Sequence, residues 1–114
     1  MTLQQKLKQF GQALDTLEGV TVRHFTRGAA KPPFAVWQEE GEGDSFYVNN
    51  AKAEPRIAGG LDYFTQTDFD PKVDEIQRLL QSICEEWTLE SVQHEEETKL
   101  IHYRWNWELG YGEL

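Results

Sequence analysis

The feature that most constrains the fold is a strict two-residue alternation between positions 101 and 109. The odd positions are apolar or aromatic (Ile101, Tyr103, Trp105, Trp107 and Leu109), and the even positions are polar (His102, Arg104, Asn106 and Glu108). Successive side chains of a strand point to opposite faces, so this pattern predicts an antiparallel strand with one buried face. Residues 87–94 are the predicted partner strand, joined to it by the acidic turn 95–98. The tryptophans are predicted core residues, with a ligand platform or protein interface as the alternative.

An amphipathic helix is predicted at the start of the sequence. Its apolar residues recur at spacings of three and four: Leu3, Leu7, Phe10, Leu14 and Leu17. Such spacing forms one stripe along a helix, which we expect to pack on a sheet. Thr2 is predicted to cap the first turn in a capping box with Gln5, and Gly19 suits the left-handed position after the last turn.

A second helix is predicted to begin at Asp70-Pro71 and to end near residues 84–86. Asp70 suits the N-cap, and Pro71 suits the first helical position because no hydrogen bond is needed there. The predicted buried stripe is Val73, Ile76, Leu79, Leu80 and Ile83.

The remaining segments have strand composition, rich in β-branched and aromatic residues. The predicted strands cover residues 20–26, 34–38, 45–49 and 61–67. A polar turn at 39–44 predicts that the second and third of them form a hairpin. Residues 50–60 are predicted to be a loop or a bulged edge, because Pro55 cannot donate to a ladder and Gly59-Gly60 weakens regular structure.

Together these elements predict an α+β fold. The predicted order is α-β-β-β-α-β-β, with a mostly antiparallel sheet of about five strands and two helices packed on it. A chain of 114 residues suits one domain, residues 1–114, because chains of about 100–150 residues usually build a single core.

Charge is distributed unevenly along the sequence. The formal net charge is −9, with +3 on residues 1–38 and −12 on residues 39–114. An acidic body repels phosphates, which argues against conventional nucleic-acid binding. No apolar run reaches the roughly 20 residues that span a bilayer, and no signal-peptide stretch is present, so we expect a cytoplasmic protein without a membrane partner. The single cysteine, Cys84, excludes an internal disulfide.

Two side-chain groups are candidate sites of chemistry, and each has a simpler explanation. His94 and His102 flank the acidic turn and suit a metal site with its glutamates, or are ordinary strand residues. Asp62, Asp68 and Asp70 suit acid–base or cation chemistry, or serve as caps and turn residues. The sequence therefore predicts no catalytic, cofactor-binding or metal-ligating residue, and no enzyme activity.

Several short segments stand out beside the order of elements: residues 33–37 (PFAVW), 46–50 (FYVNN), 61–65 (LDYFT), the helix start at Asp70-Pro71, and 96–103 (EETKLIHY). Together with that order, they resemble the small tail-completion or tail-terminator proteins of long-tailed bacteriophages and prophages. The resemblance extends over nearly the whole chain and contains no catalytic motif.

This resemblance implies a non-enzymatic virion component without a cofactor. Such proteins assemble as a ring, typically a hexamer, on the end of the tail tube and join it to the head–tail connector. The implied partners are further copies of the chain, the tail tube protein and the connector protein, and DNA passes through the ring. The implied location is the host cytoplasm during assembly and then the neck end of the virion tail.

The uneven charge suggests how copies meet in such a ring. We expect the basic first third of one copy to contact acidic residues of the next, with Lys6, Lys8, Glu95, Glu96 and Glu97 as candidate subunit contacts. Two other functions stay open: another neck protein of the same virus, and a small acidic cytosolic regulator that binds proteins or mimics nucleic acid.

Overall fold

A computed structural model describes residues 1–44, 46–48 and 51–112, with the backbone alone for 46–48 and 51–54. In chain order its elements are α1 (Leu3–Leu14), β1 (Thr21–His24), β2 (Phe34–Glu42), β3 (Phe46–Val48), β4 (Ala51–Glu54), β5 (Arg56–Thr65), α2 (Pro71–Ile83), β6 (Glu86–Glu95) and β7 (Leu100–Gly110). The predicted α+β class, with two helices and a five-stranded sheet, is confirmed.

The five-stranded sheet has the order β1-β2-β5-β7-β6. Strand β1 runs parallel to β2, while the β2–β5, β5–β7 and β6–β7 pairs are antiparallel. The sheet is therefore mixed. Residue patterns indicate where strands lie but not their relative direction, and here the loop 25–33 carries the chain back so that Thr21 pairs with Phe34.

The predicted hairpin between residues 34–38 and 45–49 is wrong. Strand β2 instead pairs with β5, where Trp37 lies opposite Leu61, and β3 pairs with β4 in a separate two-stranded sheet. Residues 45, 49 and 50, which the sequence assigned to this region, lie outside the described residues. The turn signal was local, whereas the partner of β2 comes from more than twenty residues further along the chain.

The predicted loop or bulged edge at 50–60 is also corrected, because Gly59 and Gly60 lie inside the central strand β5. A Cβ atom on Gly59 would overlap the Trp107 ring, and one on Gly60 would overlap the Arg104 guanidinium. Both glycines thus make room for large side chains of the neighbouring strand β7.

The two helices pack on the face of the sheet that carries the aromatic residues of β7. Phe10 of α1 contacts the rings of Trp37 and Trp107, with centroids 5.4 and 4.8 Å apart. Trp105 and Trp107 are fully or almost fully buried, so their predicted core role is confirmed. The opposite face, formed by residues such as Phe34, Asp62, Phe64, His102 and Arg104, is called the open face below.

The predicted helix starts and the closing hairpin agree with the structure, but the predicted end of α1 is wrong. The helix ends at Leu14, where Thr16 and Leu17 donate to carbonyls three residues back, and Gly19, with a φ of +75°, lies in the loop before β1. Thr2 and Gln5 form the capping box of α1, and Asp70 caps α2 ahead of Pro71. Strand β6 pairs with β7 as predicted, with a bulge between Leu89 and Ser91. Neither α1 nor α2, in the part of the chain that is described, is long and apolar enough to cross a membrane.

Candidate functional site

Arg104 lies at the centre of a charged cluster on the open face. Register places it beside Asp62 of β5, and Gly60 leaves space for its guanidinium. The guanidinium donates to Glu40 Oε1 at 2.9 Å and to Asp62 Oδ2 at 3.3 Å, and it pairs with Glu90 at 3.4 Å. Burial acts to lower the pKa of Arg104, but the hydrogen bond to Glu40 and the charge of Asp62 raise it overall. The cluster therefore joins β2, β5, β6 and β7.

An aromatic row continues this cluster across the open face. His102 Nε2 lies 2.6 Å from Asp62 Oδ1, and the His102 ring stacks on Phe64 at 4.2 Å between centroids. Phe64 stacks on Phe34 at 4.6 Å, and the Arg27 guanidinium lies 4.5 Å above the Phe34 ring. The row explains why Phe34 is fully buried on a face that lacks a described helix.

A catalytic nucleophile is activated by a base, such as histidine, that a third group, such as a carboxylate, holds in place. His102 and Asp62 supply the base and the third group. Among the described residues, His102 has no hydrogen bond to a hydroxyl or thiol. Cys84 lies instead at the end of α2, where burial, together with nearby Glu85, raises its thiol pKa to about 12. A thiol with that pKa is protonated at neutral pH, the opposite of a reactive cysteine. The geometry of the cluster fits strand-to-strand pairing and a polar contact surface.

The candidate subunit contacts lie on two separate parts of the molecule. Lys6 lines a cavity with Pro55, Arg56 and Tyr111, and Lys8 is exposed on α1. The acidic group is exposed where β6 ends and turns into β7, and its members are Glu95, Glu96 and Glu97. Within that turn, Glu96 pairs with Lys99 at 3.3 Å.

The structure does not bring these two groups together within one chain. The cavity beside Lys6 includes Gly110, which ends β7, whereas the acidic turn directly precedes Leu100, which begins it. A strand rises about 3.3 Å per residue, so the two groups lie about 30 Å apart along β7. Any pairing between them is intermolecular.

The two sets proposed for chemistry are also separated. His102 pairs with Gln93 and His94 pairs with Ile101, so the two histidines point to opposite faces of the sheet. Asp62 belongs to the Arg104 cluster on the open face. Asp70 caps α2 and accepts hydrogen bonds from Tyr63 and Thr65.

One group of acids that the sequence did not indicate could hold a cation. Carboxylate oxygens of Asp44, Glu86 and Glu108 lie within 4.8 Å of one another. The Arg56 guanidinium lies 3.6 Å from both glutamates and supplies positive charge there. Because the three acids come from distant parts of the sequence, no local spacing indicates them.

Phe69 is another residue of possible functional importance that no sequence pattern indicated. It is 92% exposed and has a φ of +54°, in the left-handed region. A hydrophobic residue before the N-cap normally packs on the fourth helical residue, which here is Asp74. The polar residue Asp74 at this position is the sequence signal from which the exposure of Phe69 could have been predicted.

No protein-family model matches the chain, and a search of curated proteins finds no match to it.

Proposed function

We propose that the chain is a non-enzymatic structural protein of a phage or prophage virion. In this proposal it is a tail terminator or tail-completion component, which forms a ring on the tail tube and joins it to the head connector. The segment resemblance supports the family. One structural observation carries the proposal further: the Lys and Arg residues of the first third form no ion pair with an Asp or Glu among the described residues.

Most cations of residues 1–38 have no acidic partner in the part of the chain that the structure describes. In the described part of the chain, no ion pair is made by Lys6, Lys8, Arg23 or Lys31. The fifth cation, Arg27, lies on the Phe34 ring instead. A protein with a net charge of −9 has ample acidic residues to pair with them.

The acidic surplus is concentrated at the other edge of the sheet. Strand β6 and its flanking residues 84–97 contain six glutamates and no Lys or Arg, whereas residues 20–33, around β1, contain three cations and no Asp or Glu. Strands β1 and β6 are the two edges of the sheet. The two edges therefore carry opposite charge.

Two sheet edges of opposite charge favour a contact between two different surfaces of neighbouring copies. A two-fold contact places each surface against its own copy, which would oppose like charges, whereas a head-to-tail contact places basic against acidic surface. Head-to-tail contacts close into a ring when the rotation between subunits fits. The acidic residues outside this contact also suit the lining of a channel for DNA, because they repel phosphates and do not retain them.

The proposal is tested on tail tubes assembled from a purified phage tail tube protein, taken from the same genome as this chain where one is encoded there. We expect the added chain to be seen by electron microscopy as a cap on one end of each tube. Capped tubes should stop growing when more tube protein is supplied. Tubes that remain bare and keep growing would reject the terminator function.

The acidic regulator is the second candidate, and the glutamate-rich β6 edge is the observation that favours it. Such a protein would stay monomeric and bind a basic DNA-binding protein through that edge. Its unpaired cations around β1 would then have no role. This alternative would be supported if the chain is a stable monomer that does not bind tail tubes and that competes with DNA for a basic DNA-binding protein.

A further inference from the structure

We infer that strand β1 of one copy pairs with strand β6 of the next copy, so that the sheet continues across the boundary between subunits. This contact rests on the proposed function, because it names the strands through which ring subunits meet. In the described part of the chain, β1 and β6 are the two edges of the five-stranded sheet. An edge strand presents a row of main-chain N–H and C=O groups with which a further strand can pair.

The registers of the sheet show which residues of the two edges lie at the same height along the strands. Val22 lies opposite Ala35, which leads through Tyr63 and Tyr103 to Val92. Three other rows lead in the same way from β1 to β6: Thr21 to Gln93, Arg23 to Ser91, and His24 to Leu89. The four residues of β1 are therefore level with residues 89–93 of β6.

A closed ring sets these level residues against each other. Rotation about one axis carries a copy around the ring without raising it, so with the axis along the strands β1 of the next copy meets residues 89–93. Within the sheet β1 and β6 run in opposite directions, because one of the four strand pairs is parallel and three are antiparallel. The new pair is therefore antiparallel.

The main-chain groups in these rows point toward the partner. The amides of Thr21 and Phe25 donate to the chain of β2 and the residue before it, at 3.3 and 2.8 Å. Main-chain groups alternate in direction along a strand, so those of Val22 point away from β2. The same alternation, followed across the sheet, directs those of Val92 away from β7. Val22 and Val92 thus face each other as a pair that exchanges two hydrogen bonds.

The side chains on the face that carries the helices are apolar in these rows. Val22 is level with Val92 and His24 with Leu89, and the Phe25 ring stacks on His24 with centroids 3.9 Å apart. Five large apolar side chains are exposed among the described residues, and three of them, Phe25, Leu89 and Val92, lie at these two edges. Strand pairing removes this apolar surface from water on both copies.

On the open face the contact sets a cation against an acid. Arg23 is exposed and makes no ion pair within the described residues, and the bulge of β6 places Glu90 beside the row of Arg23. Glu90 lies 3.4 Å from Arg104, but that guanidinium is also bound by Glu40 and Asp62. The exposed Glu90 carboxylate is therefore able to pair with Arg23 of the next copy.

Pairing of β6 with β6 of another copy is the competing arrangement. It brings together two strands that each contain three glutamates and no Lys or Arg, and like charges on paired strands are destabilising. Strand β1 contains no acid, and the Glu39 carboxylate beside it lies 2.8 Å from His24 Nε2. The acidic edge is thus better matched by β1 than by itself.

The first test links the two edges with cysteines. Thr21 and Gln93 lie in a row whose Cα atoms would be about 4.5 Å apart, within the range that a disulfide spans. After mild oxidation, we expect Thr21→Cys/Gln93→Cys to give a ladder of covalent oligomers that ends at the mass of the ring. These links join different copies, because five strands at about 4.8 Å spacing separate the two edges within one chain.

The matched control is Thr21→Cys/Thr88→Cys, whose second cysteine lies on the same edge but four rows away. It should stay uncrosslinked under the same conditions. The native Cys84 is kept in all variants, because burial and nearby Glu85 raise the pKa of its thiol to about 12 and leave it unreactive.

The second test removes one main-chain donor of the contact. Val92→Pro deletes an N–H that points away from β7, a position at which an edge strand tolerates proline. We expect about tenfold weaker self-association in analytical ultracentrifugation, with an unchanged far-UV circular dichroism spectrum. His94→Pro is the control, because its N–H also points away from β7 but lies beyond the level of β1. Equal association of the two variants would overturn the contact.

The outcomes separate this contact from the proposed function. Rings that cap tail tubes although Thr21→Cys/Gln93→Cys does not cross-link would overturn the contact and leave the terminator function intact. Covalent oligomers of that variant that never cap tubes would support the contact and reject the terminator function. Gln93→Cys alone cross-linking as completely as the double variant would show β6–β6 pairing and, like a monomeric wild type, would overturn the contact.

Discussion

At the residue scale, Asp70 connects the sheet to α2. Its carboxylate caps the helix and accepts hydrogen bonds from the hydroxyls of Tyr63 and Thr65. Burial acts to raise the pKa of Asp70, but these hydrogen bonds, led by the one from Tyr63, lower it below 3.8. The same carboxylate also raises the pKa of Tyr63, after the larger effect of burial, so the phenol stays protonated as the donor. Asp70 is thus ionised throughout the neutral range.

Replacing Asp70 with Ala should lower the free energy of unfolding by about 2–3 kcal/mol. About 1 kcal/mol comes from the lost cap, and the remainder comes from leaving the buried hydroxyls of Tyr63 and Thr65 without their acceptor. Urea denaturation measures the loss. Asp68→Ala is the control, and an equal loss in both variants would contradict this role of Asp70.

The stability that Asp70 contributes should depend on pH. A carboxyl whose pKa is lowered by folding stabilises the protein above its unfolded pKa, near 3.8, and this stability is lost as the pH falls through the folded pKa. Asp70→Asn keeps a capping side chain but removes the charge. The difference in unfolding free energy between wild type and Asp70→Asn should be constant from pH 7 to 5 and should shrink below about pH 4. A difference that does not change with pH would show that the charge is not what stabilises the fold.

At the element scale, the sequence predicts what depends on neighbouring residues. The capping box at Thr2, the Asp70-Pro71 helix start and the alternation in β7 are local signals, and all three agree with the structure. Strand partners depend on distant residues, so the parallel β1–β2 pair and the β2–β5 pair were not predicted. The Arg104 cluster was not predicted either, because its members come from four strands and no local residue spacing indicates them.

The glycines of β5 show why sequence rules failed at that strand. Glycine weakens a strand by its own propensity, but Gly59 and Gly60 permit Trp107 and Arg104 to cross the central strand. Gly59→Ala should therefore cost about 2–3 kcal/mol of unfolding free energy, as overpacking against rigid neighbours does. Gly41→Ala, where no atom lies within 4 Å of the added Cβ, should change stability by less than 1 kcal/mol. Equal melting temperatures for the two variants would contradict this explanation.

At the scale of the whole molecule, the central claim is that copies associate through unlike charged surfaces. Lys6 and Lys8 lie on α1, and the acidic turn 95–97 lies about 30 Å away along β7. Screening of surface charges increases with salt: the Debye length falls from about 14 Å at 0.05 M to about 4 Å at 0.5 M. Association should therefore weaken when the salt concentration is raised over this range.

The most direct test is the mass of the assembled protein in solution, with and without charge reversal. We expect the wild type to form a closed ring of fixed mass at low salt. The double variant Lys6→Glu/Lys8→Glu should be monomeric. Mixing it with a second variant, Glu95→Lys/Glu97→Lys, should restore association, because surfaces of opposite charge then face each other again. A charge-reversed protein that forms a ring of the wild-type mass would contradict the account.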